Sequence, residues 1–285
     1  MANLWTFGDS FTAGHGCKYQ ENTNFSDNDN NVYHNMYKDY IDLNKKIWPE
    51  LLSEFLNLEL INLGKNGSSN EWIADNIITN IKNISKNDIV ILQTSMFGRY
   101  DFPFKKEKSL MGNGPRKNEH IKDYIIKTNE SPYFFKTIFI TNINKEWNNS
   151  MKNILNYING QECLNDKEVI LDEYKYNLIR GFFSEFISTE KYYERSVWRI
   201  MELSKVLSLI GIKNYIINET HWPRHLDKPN NLVEMHDGGI HSYIYANKQT
   251  IKQATNGKID DTHPSYEGHE SIADYILKFI QNDIK

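Results

Sequence analysis

Residues 3–93 alternate short apolar runs with amphipathic stretches in the order strand, helix, strand, helix, strand, and that order most narrows the folds open to the chain. Asn3 to Phe7 reads as a short buried strand that Gly8-Asp9-Ser10 breaks sharply. Pro49 suits the first turn of a helix, and Trp48, Leu51, Leu52, Phe55 and Leu56 follow at helical spacing. Leu58 to Leu63 gives a second strand. Ser68 with Glu71 three residues on has the form of a capping box, ahead of Ile73, Ile77 and Ile81 on one helical face. Ile89 to Gln93 completes the third strand. Consecutive strands joined through helices pair in parallel by right-handed crossovers, with helices on both faces, so the expected class is α/β.

The next strand, Lys213 to Ile217, follows a helix whose Tyr193, Val197, Ile200, Met201 and Leu207 share a face and which ends at Gly211. More than a hundred residues separate it from the third strand, far more than a crossover needs. The reading is one domain over 1–285, with a mostly helical insertion at about 97–185 and a loop insertion at about 219–259. A polar loop is expected from Glu21 to Asn31, and a last helix from Pro264 that buries Ile272, Ala273, Ile276, Leu277 and Ile280.

Composition removes several functions. The net charge is −4, with 33 basic residues interleaved among 37 acidic ones, so no basic stripe marks a nucleic-acid surface. Apolar runs such as Ile89-Val90-Ile91-Leu92 are far shorter than a membrane span, and neither a basic n-region nor an apolar h-region is visible; the expectation is a cytoplasmic protein without a membrane partner. Cys17 and Cys163 are read as free thiols. His221 and His225 have a ligand-like spacing, but Pro223 disfavours a helix there. His236, Asp237 and His241 offer no tight ligand pattern, so neither a metal nor another cofactor is expected.

A serine hydroxyl is a weak nucleophile and needs a base, a carboxylate to orient that base, and donors for the developing oxyanion. Ser10 stands immediately after the first strand, in Phe7-Gly8-Asp9-Ser10-Phe11-Thr12-Ala13-Gly14. Near the other end, Asp260-Asp261-Thr262-His263-Pro264 carries a His at an expected helix start. A chain turning into a helix brings residues three apart to one side, which pairs Asp260 with His263 and leaves Asp261 to solvent or to the turn. A helix-capping turn with a surface His is the alternative. Asn62-Leu63-Gly64-Lys65-Asn66-Gly67 lies between the second strand and the capped helix, where Gly67 N–H can face an anion; a plain turn would look the same. Ser10, Gly67, Thr94 and His263 all fall after carboxyl ends of strands or in the closing loop, where open α/β sheets build their sites.

Together these residues resemble the SGNH/GDSL hydrolase family. Its block Gly-Asp-Ser-x-Thr-x-Gly is met by residues 8–14, Asn-x-Gly-x-x-Gly by 62–67, and Asp-x-x-His-Pro by 260–264. The resemblance implies a three-layer α/β/α fold around a parallel sheet of flavodoxin-like order. It also implies carboxylic-ester hydrolysis through an acyl-enzyme, with catalytic Ser10, Asp260 and His263 and no cofactor. An acetyl ester on a glycan is the substrate it suggests. Where the family has Gly-x-Asn-Asp after the third strand, this chain reads Gln93-Thr94-Ser95-Met96-Phe97. An Asn donor is therefore missing from an oxyanion hole otherwise formed by Ser10 and Gly67, and Thr94 or Ser95 is expected to replace it. Losing one such donor costs about 3 kcal/mol of transition-state stabilisation. That departure also motivates a competing reading, a non-catalytic binding or structural protein on the same scaffold. Gly-x-Ser-x-Gly is absent, which sets the α/β-hydrolase fold aside.

Overall fold

The computed structural model describes residues 2–18, 36–96, 99–105, 133–139 and 189–283. The polar loop expected at 21–31, Cys163, and the 106–132 and 140–188 parts of the long insertion lie outside them. The chain divides into two compact units, one of Met1–Asn22, Asn31–Met96 and Glu194–Lys285, the other of Thr23–Asn30 and Phe97–Tyr193.

In the first unit, β1 (Asn3–Phe7), β2 (Glu59–Asn62), β3 (Ile89–Gln93), β6 (Lys213–Ile217) and β7 (Leu232–Val233) form one parallel sheet of order β2-β1-β3-β6-β7. Trp5 stands opposite Ile61 on one side and Val90 on the other. The chain leaves β1 outward to β2 and then crosses back to β3 on its other flank. The carboxyl ends of β1 and β3 therefore flank the point where strand order reverses, the usual place for a site in such sheets.

Alternation along the strands sends successive side chains to opposite layers. Leu4, Ile91, Tyr215 and Ile217 join one core with Trp48 and Leu52 of α2 (Trp48–Leu56), Ile240 and Ile244 of α5 (Gly239–Ala246), and Ile272, Ala273, Ile276 and Ile280 of α7 (Tyr266–Asp283). Ile73, Ala74 and Ile77 of α3 (Asn70–Asn80) and Val197, Ile200 and Met201 of α4 (Thr189–Leu209) are also buried. Asn70 Nδ2 donates to Ser196 Oγ at 3.1 Å, and Arg199 pairs with Asp75, tying α3 to α4. The result is the three-layer α/β/α architecture expected from the order of elements.

Three local expectations shift. The cap of α3 is Ser69, whose hydroxyl accepts from Trp72 N at 3.1 Å, because the Ser68 hydroxyl is engaged on Gly8 O at 3.1 Å. The stretch 219–259 is not all loop: it holds β7, α5 and the one-turn α6 (Ile251–Ala254). The described part of the 97–185 insertion is strand rather than helix, β4 (Arg99–Lys105) pairing antiparallel with β5 (Tyr133–Phe139) in the second unit.

His269, on α7, is fully buried, and its Nδ1 accepts from Trp48 N at 3.3 Å while Nε2 meets no partner among the described residues. Burial first, then the neighbouring His263 charge, push it down to about 3. The folded state thus holds this imidazole neutral while the unfolded chain protonates it near its ordinary value. Stability is full above about pH 6.5 and falls as pH drops from there toward 3, at up to about 1.4 kcal/mol per unit. Urea titrations at pH 6.5 and 4.5 should show a loss of roughly 2 kcal/mol for the wild type that His269→Gln removes; equal losses in both proteins would exclude His269 as the source.

Candidate active site

The segment carrying His263 is extended, not helical. Thr250 and Pro264 form an antiparallel bridge, Lys252 N donates to Asp261 O at 2.7 Å, and Ile251 N donates to His263 O at 2.9 Å. Helix α7 begins only at Tyr266. In an extended chain, residues two apart share a side. Asp261, not Asp260, therefore meets the imidazole: its Oδ1 lies 2.6 Å from His263 Nδ1 and also accepts His263 N–H at 2.9 Å. Asp260 points outward, its side chain 80% exposed, and pairs with Lys252 Nζ at 2.7 Å. This corrects the pairing read from three-residue spacing.

On the other side, His263 Nε2 lies 2.9 Å from Ser10 Oγ. Ser10 opens the one-turn helix α1 (Ser10–Ala13), which Asp9 caps by accepting Phe11 N at 3.0 Å. Asp9 is buried and also accepts Gln93 Nε2 at 2.7 Å, which clamps the turn after β1 to the end of β3. Gly8 must be glycine at this junction, since a Cβ there would overlap the Thr12 side chain and stand 2.9 Å from Gln93 Cβ.

Burial alone would raise the Asp261 carboxyl, but the hydrogen bond and charge of His263 and the Tyr37 hydroxyl outweigh it and hold the group well below the usual carboxylate range. Tyr37 Oη donates to Asp261 Oδ2 at 2.6 Å. His15 stands beside them, its ring 4.3 Å from that of His263, its Nδ1 2.8 Å from Asn66 Nδ2 and its Nε2 3.8 Å from Asp261 Oδ2. Phe11 packs on His263 at 5.2 Å between ring centroids and on His241 at 6.1 Å. Burial, then the His263 charge, lower His241 from its ordinary value.

Among the described residues, neither Ser10 N–H, at the start of α1, nor Gly67 N–H, in the loop before α3, makes a backbone hydrogen bond. Gly67 has φ 72°, a left-handed conformation that favours glycine, and open space where a Cβ would stand. The hydroxyls expected to replace the missing Asn are turned into the fold. Thr94 Oγ1 accepts Glu219 N–H at 3.3 Å, and Ser95 Oγ lies 2.7 Å from Ser68 O and 3.2 Å from Asp9 Oδ2. Both residues are fully buried. A buried hydroxyl takes the nearest buried acceptor, and the loop carrying Ser68 supplies one.

Tyr37, His15 and Asn66 were not singled out by the sequence reading. Tyr37 has no local signal, since its partner is distant in sequence. Cys17 is buried, with its Sγ 3.4 Å from Pro264 O, and burial, then the Asp261 charge, push the thiol up to about 12, so it is packing rather than chemistry. His221, His225 and His236 belong to no ligand cluster among the described residues.

The family profile described as GDSL-like Lipase/Acylhydrolase matches residues 4–276. No curated protein is significantly similar in sequence. A solved structure of a G-D-S-L family protein from Desulfitobacterium hafniense DCB-2 is similar at 13% identity and TM-score 0.30, covering 98% of this chain and 99% of that one. Among the described residues no helix is long and apolar enough to cross a membrane.

Proposed function

Because the chain belongs to the GDSL-like lipase/acylhydrolase family, we propose that it cleaves a carboxylic ester by way of an acyl-enzyme on Ser10, with His263 as the base and Asp261 as its orienting carboxylate. The observation that carries this reading is the unbroken line from Ser10 Oγ to His263 Nε2 at 2.9 Å and from His263 Nδ1 to Asp261 Oδ1 at 2.6 Å.

Ser10 Oγ attacks the ester carbonyl while its proton passes to His263 Nε2. Asp261 holds Nδ1–H, which fixes the tautomer with a lone pair on Nε2, and its charge stabilises the imidazolium as it forms. The depressed carboxyl keeps that charge in place throughout the neutral range. On this reading the oxyanion receives the Ser10 and Gly67 N–H groups. Collapse breaks the ester C–O bond, and the alcohol leaves with the proton from Nε2. Water then attacks acyl-Ser10, giving its proton to His263; the acyl C–Oγ bond breaks as His263 returns that proton to Ser10 Oγ, and the acid is released.

An acetyl ester carried on a glycan is the substrate class proposed. Ser10 is only 3% exposed, which supports a short acyl group over a long chain. A screen of p-nitrophenyl esters should give kcat/KM for acetyl at least about tenfold above octanoyl, the size expected when an apolar chain is excluded from a pocket. Acetate release from acetylated oligosaccharides should follow. A preference for octanoyl, or no acetate from any glycan, would reject the substrate class and leave the reaction type to be judged by the serine itself.

A further inference from the structure

We propose that the site also binds one transition-metal ion, zinc by its chemistry, through His15, Asp261 and His263, and that this ion switches the enzyme off; the switching rests on the hydrolase reading above. A ligand atom from each of these three residues lies within 4.8 Å of the others, the one such His/Cys/Asp/Glu trio among the described residues. Two imidazole nitrogens and a carboxylate oxygen form a set that suits zinc and does not suit magnesium or calcium, which favour oxygen ligands. Zinc bonds of about 2.0–2.1 Å in tetrahedral geometry place donor atoms roughly 3.3 Å apart. His263 Nδ1 lies 2.6 Å from Asp261 Oδ1, and His15 Nε2 lies 3.8 Å from the other carboxylate oxygen, Oδ2, so the His263–Asp261 contact opens by roughly 0.7 Å to admit the ion.

The surroundings resemble an outer shell. Tyr37 Oη holds the second carboxylate oxygen at 2.6 Å, and the Asn66 amide lies 2.8 Å from the His15 nitrogen that would face away from the ion. That amide offers a donor on one arm and an acceptor on the other, so after a half-turn it can accept Nδ1–H of His15, which puts the ring's lone pair on Nε2. His15 and His263 are partly exposed, with side-chain accessibilities of 20% and 23%, so an ion can reach them from solvent.

The consequence for chemistry follows from proton bookkeeping. In the resting site His263 carries its proton on Nδ1 and a lone pair on Nε2. A metal on Nδ1 needs the lone pair there, so the proton moves to Nε2, and none is lost from the ring. Nε2 is the nitrogen 2.9 Å from Ser10 Oγ, and once protonated it cannot take the serine's proton. Asp261 is at the same time drawn from orienting the imidazole to ligating the ion.

The test uses chelator-treated full-length protein and zinc itself. Calorimetric titration of Ser10→Ala, which keeps all three ligands, should show one zinc site with a micromolar or tighter dissociation constant. His15→Phe, which keeps an aromatic ring without a ligand atom, should weaken zinc binding by about tenfold or more, with His15→Gln as the second variant should the first not fold. In parallel, zinc should inhibit the wild-type esterase, chelator should restore it, and magnesium should do nothing. The inhibition constant in the His15 variant, referred to that variant's own metal-free rate, should rise by about the same factor. No zinc binding up to millimolar concentration, or equal binding and inhibition with and without His15, overturns the proposal. A metal-free wild type that hydrolyses no ester would instead sink the functional reading, and the titration on Ser10→Ala would still decide the metal site.

Discussion

Replacing Asp261 by Asn lowers kcat on a short-chain ester by up to about 10⁴-fold, whereas Asp260→Asn leaves it nearly unchanged. The amide cannot accept Nδ1–H with its nitrogen, and when its oxygen accepts it lacks the charge that stabilises the imidazolium. The cost therefore falls on the step in which Ser10 gives up its proton, so kcat drops more than KM rises. Asp260 contributes only an exposed pair with Lys252 at 2.7 Å, a kind of contact worth about 0–1 kcal/mol. Steady-state kinetics of the two variants, purified side by side, checks the ranking. A larger loss for Asp260→Asn would mean that the imidazole is oriented in solution by the residue three positions back.

The second large effect is at the nucleophile. Ser10→Ala should lower kcat by on the order of 10⁶-fold, the scale found when the attacking group of such a triad is removed. His263→Ala should cost about as much, and the double variant little more, because the two residues act as a unit. Residual acceleration, on the proposed reading, comes from the Ser10 and Gly67 N–H groups, which these changes leave in the chain. Losing the hydroxyl removes only the contact with His263 Nε2, so urea stability should move by less than about 1 kcal/mol. A Ser10→Ala protein that retains activity would assign turnover to another residue.

Much of this site was legible in the sequence because its parts are local. Strand periodicity, the break at Gly8 and the loop before α3 placed Ser10 and Gly67 at the ends of β1 and β2 without long-range information. What was not legible depends on pairing between distant segments. The extended conformation of 261–264 comes from its bridge to residues 249–252, and no local spacing announces it. Assuming that the helix began at Pro264 gave a three-residue period and so chose Asp260, while the two-residue period of extended chain selects Asp261. Ser68 and Ser69 show the same limit on a smaller scale: either can cap α3, and the hydroxyl bond from Ser68 to Gly8 O decides it. Thr94 and Ser95 were placed correctly at the end of β3, but the direction of their hydroxyls follows from Glu219, Ser68 and Asp9. His15 carried a weak signal, as a second imidazole five residues after the nucleophile. Tyr37 carried none.

The missing Asn after β3 motivated a reading in which the scaffold binds without turnover. Family membership and the assembled line of Ser10, His263 and Asp261 favour the enzyme. On the proposed mechanism, one absent donor corresponds to about 3 kcal/mol of transition-state stabilisation.

Activation of Ser10 is the central claim, and a fluorophosphonate probe tests it most directly, because that reagent bonds to a serine hydroxyl only when a base withdraws its proton. Mass spectrometry of the labelled, digested protein should find the adduct on the peptide holding Ser10, with labelling abolished by Ser10→Ala and by His263→Ala and strongly slowed by Asp261→Asn. An adduct on a different serine, or labelling that persists in Ser10→Ala, would contradict it.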